Sequence, residues 1–183
     1  MRKSVVCALV STLCFMSAVH AETTDNVMST SDIIVDGAIT SGDGACTVLM
    51  DKDVVNLLAD KTTIVPQSKS KADHFDGTFS VSMTGDEICI RRIQEGKIAV
   101  RFTGPADEVE GSVFANTATG ENAAKGVGVG LFLSSLGRIA INQGAIPVTP
   151  KPLSLSAQVV GLTGQEVVEG NVQASITVEV VRL

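Results

Sequence analysis

The residue types able to do chemistry are few in this chain, and their spacing does not bring them together. Beyond residue 21 there is one histidine, His74, set in a polar stretch, and neither a GxSxG nor an HExxH motif occurs. A serine nucleophile needs a base within hydrogen-bond reach, so a lone histidine in a polar loop reads as solvated and not as a general base. Asp51-Lys52-Asp53 opens like a calcium loop, but the glycine and later ligands of such a loop do not follow, and a solvated turn is the expectation. The run 126–133, GVGVGLFL, has the glycine content of a phosphate cradle. It lacks the Lys-Ser/Thr of a P-loop and no amphipathic helix follows. Val127, Val129, Leu131 and Leu133 instead alternate as one face of a strand, with glycines that admit close backbone neighbours. No catalytic, cofactor-binding or metal-ligating residue is expected.

Cysteine usage and the first residues set the compartment. Arg2 and Lys3 precede an apolar run over 5–19, and Val19-His20-Ala21 closes it with a small residue. This is the pattern of a secretory signal peptide over residues 1–21. The run is short for a membrane span, and no later segment approaches spanning length. Cys7 and Cys14 fall inside this leader, and bulky Leu13 before Cys14 argues against a lipidated cysteine. Of 183 residues, 162 would remain, enough for one domain with a real core. Losing Arg2 and Lys3 moves the net charge from −6 to −8. An acidic chain without Trp or Tyr is a poor fit to nucleic acid, to anionic membrane surfaces and to sites that stack sugars or bases. The remaining cysteines, Cys46 and Cys89, are an isolated pair. In an exported protein such a pair is most simply a disulfide, since a metal or redox site would need further ligands. Closing a loop of about 43 residues contributes roughly 3 to 4 kcal/mol on a chain-entropy estimate.

The elements behind these residues read almost entirely as strands. After a polar tail over 22–31 comes 32–40, DIIVDGAIT, in which Ile33, Val35, Gly37 and Ile39 share one face. This strand stands ahead of the domain's first cysteine, and its apolar face is expected to serve a neighbouring molecule. A Ser-Gly-Asp-Gly joint over 41–44 separates it from the domain proper, so 22–43 is read as an extension and 44–183 as the folded unit. Strands are expected at 46–50, around Phe79, Val81 and Met83, at 89–93, 97–103 and 126–133, after the Leu136-Gly137 turn, at 153–160 and at 172–181. The lysine-rich stretch 60–76 is expected to be a surface loop. With no helical stripe in view, the expected fold is an all-β sandwich of roughly seven or eight strands.

Taken in order, these segments resemble the chaperone–usher fimbrial subunits, and within them the type 1 pilins. The resemblance is carried by the leader, by IIVDGAITSGDGAC with a second cysteine some 40 residues on, and by KIAVRFTGPAD with its F-x-G ending. AAKGVGVGLFLSSLGRIAINQGAIP, with its G-x-G strand, glycine turn and closing I-x-[LI]-N, and the final VQASITVEV complete it. The resemblance implies an incomplete immunoglobulin-like sandwich whose missing strand is supplied first by a periplasmic chaperone and then, in the fibre, by the extension of the next subunit. By position, Ile33, Val35, Gly37 and Ile39 would be the donor residues. Cys46 and Cys89 would be the family's disulfide. Ile176, Val178 and Val180 would border the receiving groove, and Leu183 would present its carboxylate to the chaperone. The implied partners are neighbouring pilins, the chaperone and an outer-membrane usher, and the implied destination is a surface fimbrium after passage through the periplasm. Val180 stands where the family carries a penultimate tyrosine, and Val181-Arg182-Leu183 extend beyond it. Burying three branched side chains of the donor would contribute roughly 5 to 9 kcal/mol, comparable to the stability of a whole domain. The alternative is a self-contained secreted β-sandwich that binds a small ligand or carbohydrate.

Overall fold

The computed structural model describes residues 31–36, 45–62, 64–71, 77–133 and 137–183. The leader, residues 22–30, residues 37–44 and His74 lie outside the described residues, and the strand expected at 32–40 is described only to Asp36.

Period-two sequence becomes strand wherever one face finds a core. In the first sheet, β1 (Ser31–Asp36) lies beside β11 (Val172–Arg182), then come β5 (Ile98–Thr103) and β9 (Ile146–Pro147). The second sheet runs β2 (Cys46–Met50), β4 (Thr78–Gly85), β10 (Leu153–Gly161), β7 (Val127–Leu133) and β6 (Phe114–Ala115). Two short strands join it at the side: β3 (Val65–Pro66) on β10 and β8 (Gly137–Arg138) on β7. The two sheets face each other across one core. Val100, Phe102, Ala174, Ile176 and Val178 come from the first, and Phe79, Val81, Val129, Leu131, Leu155 and Ala157 from the second. The expected all-β sandwich is present.

The strand β7 is buried on both faces, which accounts for its glycines. Its outward Phe132 packs with Val113 and Val160 in a second small cluster, roofed by Leu162. A Cβ on Gly128 would stand 2.6 Å from the Phe114 carbonyl oxygen of the paired strand β6 and 2.9 Å from Val113 Cγ2, so the space beside it is already filled. The GVGVG run is therefore covered strand, with no room for a phosphate.

Two expectations are corrected. The segment 89–93, read as a strand, lies in the α-helix α1 (Glu87–Gln94). Ile88, Ile90 and the cysteine between them imitate period two, but the start signals are helical. Asp86 is the N-cap, its side chain accepting from the Cys89 N–H, with Glu87 in the first turn and Arg91 and Arg92 in the last. Cys89 and Ile93, four apart, take the buried face, and Ile88 and Ile90 remain partly exposed. The stretch 60–76, read as a surface loop, contributes β3, and its Gln67 is fully buried. Gln67 makes hydrogen bonds at every polar site. Its Nε2 donates to Asp107 Oδ1 and to Ser112 Oγ, its Oε1 accepts from the Thr163 N–H, and its carbonyl accepts from Arg138. A buried amide is stable only when so satisfied.

Candidate functional site

The sandwich has two sides where the sheets could part, and they are built differently. On one side the chain itself laces them. β6 pairs with β7 in the second sheet, and the next two residues cross to the first sheet at Gln173 of β11. The Gln173 N–H donates to Asn116 Oδ1 at 2.8 Å, and the Thr117 N–H donates to the Gln173 carbonyl at 2.7 Å. The free rims here are short: β6 and β9 have two residues each, and β9 ends in a proline that cannot donate.

The other side is bounded by two long rims, β2 and β11. β11 alternates cleanly. Val172, Ala174, Ile176 and Val178 are buried, whereas Gln173 and Ser175 face out. Its hydrogen-bonding is divided along its length. From Thr177 to Arg182 it pairs antiparallel with β5, Thr177 opposite Thr103 and Arg182 opposite Ile98. From Val172 to Thr177 it pairs with β1, and this ladder is parallel, Ser31 opposite Val172 and Asp36 opposite Thr177. β1 is thus what covers the seam-side rim of β11, and the two ladders meet at Thr177.

The sequence-predicted residues distribute over this seam as follows. Ile33 stands opposite Ala174 and Val35 opposite Ile176, so the apolar positions of β1 register with buried positions of β11. Gly37 and Ile39 lie outside the described residues. Of the predicted groove residues, Ile176 is in register with β1, while Val178 and Val180 pair with Phe102 and Val100 of β5 beyond the end of β1. Val178 is buried and Val180 half-buried. Leu183 is exposed, and its N–H donates to the carbonyl of Lys97, the residue before β5, at 2.9 Å.

The opposite rim is held by Asp86 and the disulfide. Cys46 and Cys89 are bonded, with their Cα atoms 5.4 Å apart, tying β2 to α1. Asp86 Oδ1 accepts from the Cys89 N–H at 2.8 Å and Oδ2 from the Ala45 N–H at 3.0 Å, while its own N–H donates to the Ala45 carbonyl at 3.2 Å. The Cys89 N–H, and after it the Ala45 N–H, hold this carboxyl below the usual aspartate range. A Cβ on Gly85 would lie 2.1 Å from the Ala45 carbonyl oxygen and 2.7 Å from Cys89 Cβ, so glycine is required for the chain ends to approach this closely. In register, β2 runs from Cys46 opposite Gly85 to Met50 opposite Val81, and its outer edge is unpaired among the described residues. Val48 and Met50 pack on the core, and Leu49 is half exposed.

Two site-forming residues escape a period-based reading. Gly104 lies where a Cβ would come 2.5 Å from the Ser175 carbonyl oxygen of β11. Asn142, at φ 63, grips it from both sides: its Oδ1 accepts from the Gly104 N–H at 3.0 Å and its Nδ2 donates to the Gly104 carbonyl at 3.1 Å. Their signals were the closing glycine of the F-x-G run and the closing asparagine of the I-x-[LI]-N run. Their function in the fold is one contact that seats β5 against β11.

The strongest electrostatic feature belongs to the laced side. Asp107 is 5 % exposed and accepts from the N–H groups of Val109, Glu110, Ser112 and Val113 at 2.8 to 3.1 Å, and from Gln67 Nε2 at 3.0 Å. Burial pushes its carboxyl up, but the N–H donors of Glu110 and Val113, Gln67 and the Val109 N–H outweigh it and hold the group at about 2. Every lone pair is engaged in shaping the loop, so Asp107 is no acid or base. Among the described residues no group of three or more His, Cys, Asp or Glu is placed to hold a metal ion.

No protein-family model matches the chain, and no curated protein matches it significantly. Solved structures do. A Burkholderia pseudomallei antigen and type I fimbria protein is 24 % identical, with a TM-score of 0.34, over 45 % of this chain and 55 % of that one, little more than half its length. The P pilus rod subunit PapA is 14 % identical, with a TM-score of 0.44, over 80 % of this chain and 97 % of that one.

Proposed function

We propose that this chain is a structural subunit of a chaperone–usher adhesive fimbria, polymerising by donor-strand exchange and carrying no enzymatic activity of its own. The observation that carries the reading is the seam. The longest described strand, β11, forms no ladder along Val172–Ile176 other than that with an N-terminal segment that precedes the disulfide-bonded unit. A rim of that length with buried alternate residues needs a strand, and a strand from another molecule satisfies it as well as its own. The order of sequence motifs supports the same reading, and Gly104 and Asn142 give two of those motifs a shared structural purpose at β11. In this reading Ile33, Val35, Gly37 and Ile39 are the donor residues, and β11 with β2 forms the groove. Neighbouring pilins, a periplasmic chaperone and an outer-membrane usher are the partners, and the cell-surface fimbrium is the destination after export.

One observation favours the second reading, a self-contained secreted sandwich: β1 is paired with its own β11. The two are separated by removing residues 22–43 and measuring thermal unfolding of the remainder with and without a peptide copying 31–42. The fimbrial reading expects a large rise in melting temperature with peptide, and a smaller rise when the peptide carries Gly37→Val. A remainder that melts at the temperature of the longer chain, indifferent to peptide, would sink it.

A further inference from the structure

We propose that Met50 and Met83 form a site of reversible oxidation on the inner wall of the seam, where a peroxide converts each thioether to a sulfoxide and weakens the seam's hold on an incoming strand. The oxidation itself follows from the side chains; its effect on an incoming strand rests on the fimbrial reading above. Oxidisable groups are scarce in this chain. It has no Trp or Tyr, and beyond residue 21 its two cysteines are bonded to each other and buried. Three methionines remain beyond that point, of which Met28 lies outside the described residues. Met50 and Met83 are therefore the described side chains most open to attack by an oxygen donor.

Their placement exposes them. The inward positions of β2 are Cys46, Val48 and Met50, and those of β4 are Phe79, Val81 and Met83. Cys46, Phe79 and Val81 are buried, whereas Val48, Met50 and Met83 are half-buried although they pack on the same core. The register sets Met83 opposite Val48 and Met50 opposite Val81, so the two methionines are diagonal neighbours on one face. β2 is also the rim whose outer edge is unpaired among the described residues. The core is thus left partly open where the two thioethers stand, and a strand laid along that rim would close over them.

Hydrogen peroxide is sufficient for the reaction. A sulfur lone pair attacks one peroxide oxygen, the S–O bond forms as the O–O bond breaks, and proton transfer releases water. Sulfur loses two electrons and the peroxide gains them. A flexible apolar side chain becomes a polar one carrying an acceptor oxygen. Water satisfies that oxygen while the wall is open. The side chains in register around it, Val48, Val81 and Leu153, present only carbon, so a strand that excludes the water leaves it unpaired. Burying an unpaired polar group weakens binding by about 10-fold or more. The change is undone by a methionine sulfoxide reductase, whose dithiol becomes a disulfide as the oxygen leaves in water.

The test uses the full mature chain with Met28→Leu, treated with hydrogen peroxide. Peptide mapping should show one added oxygen on Met50 and one on Met83 in the folded chain. Light scattering should show assembly slowed by about 10-fold or more. Methionine sulfoxide reductase should then return both masses and the rate. A chain carrying Met50→Leu and Met83→Leu as well is compared only with itself, and should assemble alike with and without peroxide. If neither methionine, or only one, takes up oxygen until the chain is unfolded in denaturant, the site is overturned. Oxidation of both that leaves assembly unchanged, a slowing that persists in the leucine variant, or a rate that stays low after the masses return overturns the effect on the seam and leaves the fimbrial reading standing. An untreated chain that never assembles, even at raised concentration, overturns the fimbrial reading and the effect on assembly with it, while the masses still decide the site.

Discussion

The two sides of this sandwich solve the same problem with opposite means. On the laced side, chain crosses covalently between the sheets at 115–117, a fully satisfied Asp107 fixes the preceding loop, and the rims are short and partly blocked by proline. On the seam side the rims are longer, and what covers β11 is a strand that precedes the disulfide-bonded unit in sequence. The core residues are alike in burial, since Phe114 and Ile176 are both almost inaccessible. The difference lies in connectivity: the covering strand of the seam side precedes the disulfide-bonded unit in sequence, and the proposed function rests on that difference and not on burial.

The comparison breaks most visibly under cavity-forming substitutions made once on each side. Phe114→Ala should cost about 3 to 5 kcal/mol and Ile176→Ala about 2 to 5, both read from denaturant melts. They should part in a second measurement: Ile176→Ala weakens binding of a peptide copying 31–42, and Phe114→Ala leaves the peptide affinity of the folded fraction unchanged. Equal loss of peptide binding in both would erase the functional distinction between the sides.

A smaller effect sharpens the laced side. The Asp107 carboxyl is held at about 2, below an ordinary aspartate, so it contributes stability above the unfolded-state value. That contribution, on the order of 2 kcal/mol, is lost as pH falls from about 4 through about 2. Asp107→Asn should lower the melting temperature at pH 7, and its deficit against the parent should narrow below pH 4. A deficit constant across that range would mean the loss is one of shape and not of charge.

The smallest effect concerns the outer surface of β11. Arg101 and Glu179 stand opposite each other in register at 3.8 Å and are both partly exposed, with Thr103 Oγ1 donating to the same carboxylate. Glu179→Ala should cost no more than about 1 kcal/mol and should leave peptide binding alone. A larger loss would show that the ladder between β5 and β11 depends on that face.

Much of the architecture was readable because a half-buried strand writes itself as alternation. β4, β5, β7, β10 and β11 all fall where period two placed them. The helix at 87–94 was not, because Ile88 and Ile90 copy a strand's spacing while Asp86, the capping residue, also reads as a turn. Gln67 was hidden for another reason: a buried amide is recognisable only through partners at Asp107, Ser112 and Thr163 that no local pattern announces. For the seam, composition identified which positions of 32–40 are apolar. It carried nothing on direction, since an alternating pattern is the same read forwards or backwards, and the parallel ladder with β11 came only from the structure.

The disulfide also determines how the molecule would respond to being pulled. A load applied through the N-terminal strand enters the domain at Ala45 and Cys46 and leaves by way of β11. At Cys46 the S–S bond passes tension directly to Cys89, 43 positions further along the sequence, so the residues between the cysteines carry none of it. Fully drawn out, that stretch would add roughly 150 Å to the chain. The bond withholds that length, and a filament of such units would resist elongation at each repeat by covalent means, whatever becomes of its hydrogen bonds.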